Sequence, residues 1–158
     1  ARPKTDPEPK ALACYGLLVR HVPKQPEQML LRFVERRPVS TETTAFLARC
    51  SEQLAAQGLT AVLLIWDNAS WHISHEVRTW LRQHNRQVKQ SGQGVRILAC
   101  RLPSKSPWLN PIEPKWVHGK RAIVEPDRLL SAHEVMERVY AYYGCGADSH
   151  LAISEKAA

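Results

Sequence analysis

The sequence predicts an α/β domain in which some strands pair in parallel. Short apolar runs alternate with longer amphipathic segments, in the order strand, strand, helix, strand, helix, strand, helix. The chain has 158 residues, 44% of them hydrophobic, so it is long enough to bury a core of its own. We expect one domain at residues 11–145, a tail or linker at 1–10 and a C-terminal tail at 146–158.

The first elements are a hairpin and a helix. Within residues 11–36, the strand-like runs ALACYGLLVRHV and QMLLRFVER flank the turn residues PKQPE, which predicts an antiparallel hairpin. Four apolar residues then fall on one face of a helix: Phe46, Leu47, Cys50 and Leu54. Ser40 or Thr41 is the expected cap of this helix, and Gly58 stands where a helix commonly ends.

Two further strands and three further helices follow. The run LTAVLLIW is short and apolar on both faces, as in a buried central strand, and VRILAC predicts another strand. Between them, an amphipathic helix is expected from about His75, because Val77, Leu81 and Val88 form an apolar stripe. The next helix is expected from about Pro111, and the last covers roughly residues 132–143.

The positive charge of the chain is concentrated in one segment. The net charge is +7, and the segment 77–112 contains no acidic residue, while the rest of the chain is balanced. Its seven basic residues are Arg78, Arg82, Arg86, Lys89, Arg96, Arg101 and Lys105. A polyanion, most simply nucleic acid, suits such a surface, and a solvated helix face is the alternative.

Several other classes of protein are excluded by composition. No run approaches the roughly 18 apolar residues of a membrane span, and the N-terminus lacks the apolar core of a secretory signal, which predicts a cytoplasmic protein without a membrane partner. The four cysteines are far apart and none is at ligand spacing from a histidine. We therefore expect reduced, mostly buried thiols rather than zinc ligands or disulfides.

Two acidic residues follow strands and could carry chemistry. Asp67 comes directly after LTAVLLIW, and ligands of open α/β sheets bind at the carboxyl ends of strands. Glu113 lies in the first turn of a predicted helix. Both have ordinary explanations, because Asp-Asn is common turn chemistry and residues 110–113, Asn-Pro-Ile-Glu, form a standard helix start with a capping box.

Two long motifs suggest a family. LPSKSPWLNPIEPKW, residues 102–116, closely resembles the signature of mariner-type and related bacterial insertion-sequence transposases, and LLIWDNASWH resembles their second catalytic stretch. The upstream segment VERRPVSTETTAFLARCSEQL is similar to the family's link from a strand into the first helix. The resemblance covers roughly residues 11–125 in order, and two long motifs in the right order are a specific signal.

The resemblance implies a ribonuclease H-like mixed sheet with flanking helices and the chemistry of DDE-type recombinases. Three carboxylates then hold Mg²⁺ or Mn²⁺ for attack by water or a DNA 3′-hydroxyl on a phosphodiester, and hard cations prefer such oxygen ligands. Asp67 corresponds to the second acidic ligand and Glu113 to the third. Asn68, Asn110 and Pro111 are expected to position them.

The first acidic ligand of the family ends a central strand upstream of the hairpin, and this strand is missing from the expected fold. Asp6 is a weak substitute, because no hydrophobic strand leads into it and Pro7 follows. We therefore expect a truncated catalytic core, inactive on its own in DNA cleavage and strand transfer at transposon ends. The alternative is a non-catalytic DNA-binding or assembly module derived from a transposase.

DNA, as transposon ends and target, is the implied partner in the nucleoid of a bacterial cytoplasm, with a homodimer as a further option. The candidate nucleic-acid contacts are His72, Arg78, Arg82, Arg86, Lys105, Lys120 and Arg121. For His72 the alternatives stay open, since a histidine just after a strand is as often packed or turn-stabilising as it is a phosphate contact.

Overall fold

The computed structural model describes residues 13–20, 22–35, 37–123 and 129–145, and the backbone of 152–153. The chain divides into two units. Unit 1 contains residues 1–37 and 111–158, and unit 2 contains residues 38–110. The predicted tail at 1–10 lies outside the described residues, as does all of the predicted tail at 146–158 except residues 152–153.

Unit 1 is built on the predicted hairpin, which is confirmed. Strands β1 (Ala13–Val19) and β2 (Gln28–Val34) pair antiparallel, with Gly16 opposite Leu31. A two-residue strand at Ala152–Ile153, numbered β5 by its place in the chain, pairs antiparallel with the other edge of β2. The resulting sheet has the order β1-β2-β5.

Two helices complete unit 1. Helix α4 (Glu113–Ile123) begins two residues later than predicted, with Trp116 N–H donating to Ile112 O, and helix α5 (Ala132–Tyr143) has the predicted bounds. The start of α5 is a capping box in which Ser131 and Glu134 each bind the other's backbone N–H. These local bonds explain why the position of α5 follows from sequence.

The core of unit 1 joins α4 and α5 to β2. Its buried members are Met29, Leu31, Ile112 and Tyr143. The Tyr143 hydroxyl donates to Lys115 O at 2.5 Å, and burial, with a smaller effect of the neighbouring Tyr142, raises the pKa of Tyr143 to about 12. Close approaches need glycine at two places, because a Cβ on Gly16 would overlap the indole of Trp116, and one on Gly119 would lie 2.5 Å from the Tyr143 hydroxyl.

Unit 2 places two parallel strands beside three helices. Strand β3 (Ala61–Trp66) pairs in parallel with β4 (Arg96–Arg101), from Ala61 opposite Arg96 to Trp66 opposite Arg101, which confirms the predicted parallel pairing. Helix α1 (Ser40–Ala56) precedes β3, and helices α2 (Ser70–Ile73) and α3 (His75–Ser91) connect β3 to β4. Asn85 on α3 bonds to both backbone groups of Ile97 at 2.8 Å, which ties the helix to β4.

The predicted cap of α1 is wrong. Val39 occupies the N-cap position without a side-chain bond, and Ser40 is already helical. The Ser40 hydroxyl instead donates to the Ser74 hydroxyl at 2.7 Å, and Thr41 donates to Glu76 at 3.2 Å. These side chains join the beginnings of α1 and α3, a tertiary role that outweighs local capping.

The expectation that β3 is buried on both faces is also wrong. Leu64 and Trp66 are buried, whereas Leu63 and Ile65 on the opposite face are 63% and 39% exposed. Side chains alternate between the faces of a strand, so packing covers one set and leaves the other in solvent.

Two of the four cysteines differ from the expected burial. All four thiols are free, but Cys14 and Cys100 are exposed rather than buried, whereas burial raises the pKa of Cys50 well above its usual range. No helix in the described ranges has the length and apolarity needed to cross a membrane.

Candidate active site

Asp67 lies where β3 and β4 end side by side. Since parallel strands bring their carboxyl ends to one edge of a sheet, the loops after Trp66 and Arg101 are neighbours. The Leu102 N–H donates to Trp66 O at 2.9 Å, and the Asn68 side-chain amide donates to Leu102 O at 2.9 Å. Asn68 therefore locks the loop that carries Asp67 to the loop that follows β4.

These two loops enclose a small cleft. Its volume is about 260 Å³, and Asp67, Asn68 and Ala69 face the segment 102–107 across it. Lys105 is in that segment. Its φ of 57° is in the left-handed region, which costs conformational free energy for residues other than glycine. The structure thus brings together Asp67, Asn68 and Lys105 from the predicted site residues.

The Asp67 carboxylate is held through one oxygen. Its Oδ1 accepts from the Ala69 N–H at 3.0 Å and contacts Nδ1 of His72 at 2.7 Å. Among the described residues no hydrogen bond reaches the second oxygen, Oδ2, and the side chain is 50% exposed. One oxygen is therefore oriented by the protein while the other stays available to a ligand.

His72 is enclosed by aromatic rings. It stacks on Trp66 with 4.9 Å between ring centroids and an interplanar angle of 12°, and it meets Trp71 edge to face at 5.9 Å. Its side chain is 21% exposed. The predicted contact of His72 with nucleic acid remains a prediction, and its contact with Asp67 is a role that the sequence motif alone did not specify.

Glu113 is the first residue of α4, in unit 1. Its flanking residues are anchored: Ile112 is buried in the core, Lys115 forms an ion pair with Glu27 at 3.3 Å, and Trp116 packs over Gly16. Within the described ranges no hydrogen bond or ion pair engages the Glu113 carboxylate. A half-buried acid in a fixed first helical turn is also favoured by the helix dipole, which explains a glutamate at this position without a metal.

The residues predicted to position Glu113 precede α4. Asn110 closes a 3-10 turn at Pro107–Leu109 by donating its N–H to Pro107 O at 2.9 Å, and it does not directly precede α4 as a cap would. Pro111 follows and is exposed. Their roles in positioning stay predictions.

The donor atoms suit a hard divalent cation, although the structure shows no complete metal site. Beside the cleft, Asp67 has a carboxylate oxygen to which none of the described residues donates a hydrogen bond, and carboxylate oxygens are ligands that Mg²⁺ and Mn²⁺ prefer. In the part of the chain that the structure describes, no group of three His, Cys, Asp or Glu side chains could hold a metal ion. Asp67 belongs to unit 2 and Glu113 to unit 1.

The predicted basic contacts are all exposed. Arg78, Arg82 and Arg86 recur every four residues along α3, so they share one face of that helix with Lys89. Lys120 and Arg121 are in the last turn of α4 in unit 1, where the helix dipole also stabilises positive charge.

Two comparisons with known proteins, one of sequence and one of fold, agree with each other. A family model described as DDE superfamily endonuclease matches residues 24–135, well over half of the chain. A solved structure, the catalytic domain of Mos1 mariner transposase, is similar in fold, with a TM-score of 0.55 and 14% identity over 88% of this chain and 72% of that chain. A search of curated proteins found no match. The predicted mixed α/β, ribonuclease H-like fold is confirmed by this likeness.

Proposed function

This chain belongs to the DDE superfamily endonuclease family, and on that premise we propose that it is the catalytic domain of a mariner-like insertion-sequence transposase. Its reaction is metal-dependent cleavage and strand transfer at transposon ends. The proposed partners are transposon ends and target DNA, and the proposed assembly is a homodimer. The nucleoid of a bacterial cell is the proposed location.

One observation carries the proposal. Asp67 stands at the carboxyl end of a parallel strand, in a cleft that also contains Lys105. One of its oxygens is oriented by protein donors, and the other accepts no hydrogen bond from the described residues. A carboxylate arranged in this way supports binding of a hard cation, and a nearby lysine supports binding of an anionic phosphate. Both residues lie in the segment that the family model matches.

Each proposed residue has a distinct task. Endonucleases of this superfamily typically use divalent metal ions, and Mg²⁺ or Mn²⁺ held by Asp67 and Glu113 would neutralise charge on the phosphodiester and lower the pKa of attacking water. Asn68, Asn110 and Pro111 position the two carboxylates. The basic residues hold the DNA backbone through phosphate contacts: Arg78, Arg82, Arg86, Lys105, Lys120 and Arg121.

Manganese binding tests this assignment directly. We expect Asp67→Asn and Glu113→Gln each to weaken Mn²⁺ binding, measured by electron paramagnetic resonance of the free ion, because each removes one anionic ligand. Glu137→Gln is the matched control, because Glu137 is an exposed acid on α5 that pairs with His133. Equal losses in all three variants would show only a general effect of charge and would contradict the assigned site.

Catalysis is tested separately by nicking of supercoiled DNA. Since no cluster of three metal ligands includes Asp67 among the described residues, we expect residues 1–158 alone to bind metal weakly and to be inactive in DNA cleavage. Robust Mg²⁺-dependent nicking that Asp67→Ala abolishes would show that another residue completes the site.

A different observation favours a second candidate function, a non-catalytic DNA-binding module derived from a transposase. The exposed basic face of α3 supports DNA binding without any metal. DNA binding that persists while Asp67→Asn and Glu113→Gln leave Mn²⁺ binding unchanged would favour this candidate.

A further inference from the structure

The contact between His72 and Asp67 has a defined geometry. Nδ1 of His72 lies 2.7 Å from Oδ1 of Asp67, the same oxygen that accepts from the Ala69 N–H at 3.0 Å. A neutral imidazole with its proton on Nδ1 donates to a carboxylate oxygen in this arrangement. Two donors therefore converge on Oδ1, and none of the described residues donates to Oδ2.

The ring of His72 is itself held in place. It stacks in nearly parallel fashion on Trp66, a buried residue at the end of β3, and the edge-to-face contact with Trp71 restrains it from another side. Its backbone is also tied, because the His72 N–H donates to Ala69 O at 2.8 Å. A ring restrained in this way can fix the rotation of the carboxylate to which it bonds.

We propose that His72 is a positioning residue that occupies Oδ1 of Asp67 and so presents Oδ2 to the catalytic cation. The inference deepens the proposed function and rests on it, because it takes Asp67 as a metal ligand. A carboxylate that is already oriented loses less rotational freedom when it binds a cation. Partners that orient a metal ligand typically contribute about 10–100-fold in metal affinity.

Two substitutions of His72 distinguish the effect of its hydrogen bond to Asp67 from the effect of its ring packing. His72→Phe keeps an aromatic ring for stacking on Trp66 and removes the donor, whereas His72→Asn places an amide N–H near the position of Nδ1 and removes the ring. We expect His72→Phe to weaken Mn²⁺ binding about 10–100-fold and His72→Asn to retain most of the affinity. The measurement is free Mn²⁺ by electron paramagnetic resonance, with Asp67→Asn as the reference for loss of the ligand.

DNA binding without metal distinguishes positioning from a direct phosphate contact. If His72 acts through Asp67, metal-free affinity for DNA and its dependence on salt stay unchanged in both variants. A salt slope lower by about 0.9 in His72→Phe would indicate a lost phosphate contact and would overturn the positioning role.

Three other outcomes also overturn the inference. The first is wild-type Mn²⁺ affinity in His72→Phe, and the second is an equal loss in the Phe and Asn variants, which would assign the effect to ring packing. The third is unchanged Mn²⁺ affinity in Asp67→Asn, which would contradict both the assignment of Asp67 as a metal ligand and the proposed function. Thermal unfolding checks each variant, and if His72→Phe does not fold, His72→Gln replaces it, because its longer side chain moves the donor away from Oδ1.

Discussion

Replacing Lys105 with glycine should stabilise the protein and weaken its binding to DNA. Lys105 has a φ of 57°, in the left-handed region, where an L-residue with a Cβ is disfavoured by about 1–2 kcal/mol. Glycine adopts this φ freely but loses about 0.5–1 kcal/mol more backbone entropy on folding. The expected net gain is therefore about 0–1.5 kcal/mol, or a rise in melting temperature of up to roughly 6 °C.

The effect on DNA binding has a separate origin. Lys105 borders the cleft beside Asp67, and its ammonium is proposed to contact one phosphate. Loss of one such contact should lower the slope of log affinity against log salt by about 0.9. Fluorescence anisotropy with a short duplex at several salt concentrations measures the slope, and urea unfolding measures the stability.

The chain contains a matched control for this experiment. Lys24 also has a left-handed φ, 61°, but it lies in the hairpin turn of unit 1 and is not a proposed DNA contact. Lys24→Gly should give a similar gain in stability with no change in the salt slope. Equal salt slopes for wild type and Lys105→Gly would refute the phosphate contact, and a loss of stability in Lys105→Gly would refute the argument from φ.

Three further predictions concern the basic face and the core. Changing Arg78, Arg82 and Arg86 together to Gln should lower the salt slope by up to about 2.7, and an unchanged slope would make them a solvated helix face. Ile112→Ala should cost about 2–5 kcal/mol in urea unfolding, because Ile112 is buried against Met29 and Tyr143, and a cost below about 1 kcal/mol would contradict that packing. Burial raises the pKa of Tyr143 to about 12 from 10.0, so its contribution to stability is complete below pH 10 and is lost as the pH rises through 12. Tyr143→Phe should therefore lose less stability than wild type between about pH 10 and about pH 12, and parallel losses in urea unfolding would contradict this assignment.

Elements with local signals could be predicted from sequence. The hairpin follows from alternating apolar residues around a turn, and α5 is set by the Ser131 capping box and by Gly144 in the left-handed conformation. The cap of α1 could not be predicted, because the Ser40 hydroxyl bonds to Ser74, 34 positions later. The burial of β3 could not be predicted for a related reason. The hydrophobicity of a residue shows that it favours burial, but it does not show which face of the strand other elements cover.

The candidate site was predictable only in part. Two long motifs predict Asp67 and Glu113 as metal ligands, and this role stays a prediction. The hydrogen bond between His72 and Asp67 depends on α2, whose four residues are too few to show a helical period. The anchoring of α4 by Lys115 and Trp116 depends on Glu27 and Gly16, which are distant in sequence.

The packing of Trp116 over Gly16 links the hairpin to the helix that carries Glu113. The backbone of β1 at this position is part of the surface on which the indole rests, so the size of residue 16 sets how closely α4 approaches the hairpin. During divergence, residues 16 and 116 should therefore change together, with a larger residue at one position matched by a smaller one at the other. A single change at residue 16 would move Glu113 without touching it, so variants at this glycine are expected to alter the proposed metal binding while Asp67 and Glu113 are both unchanged.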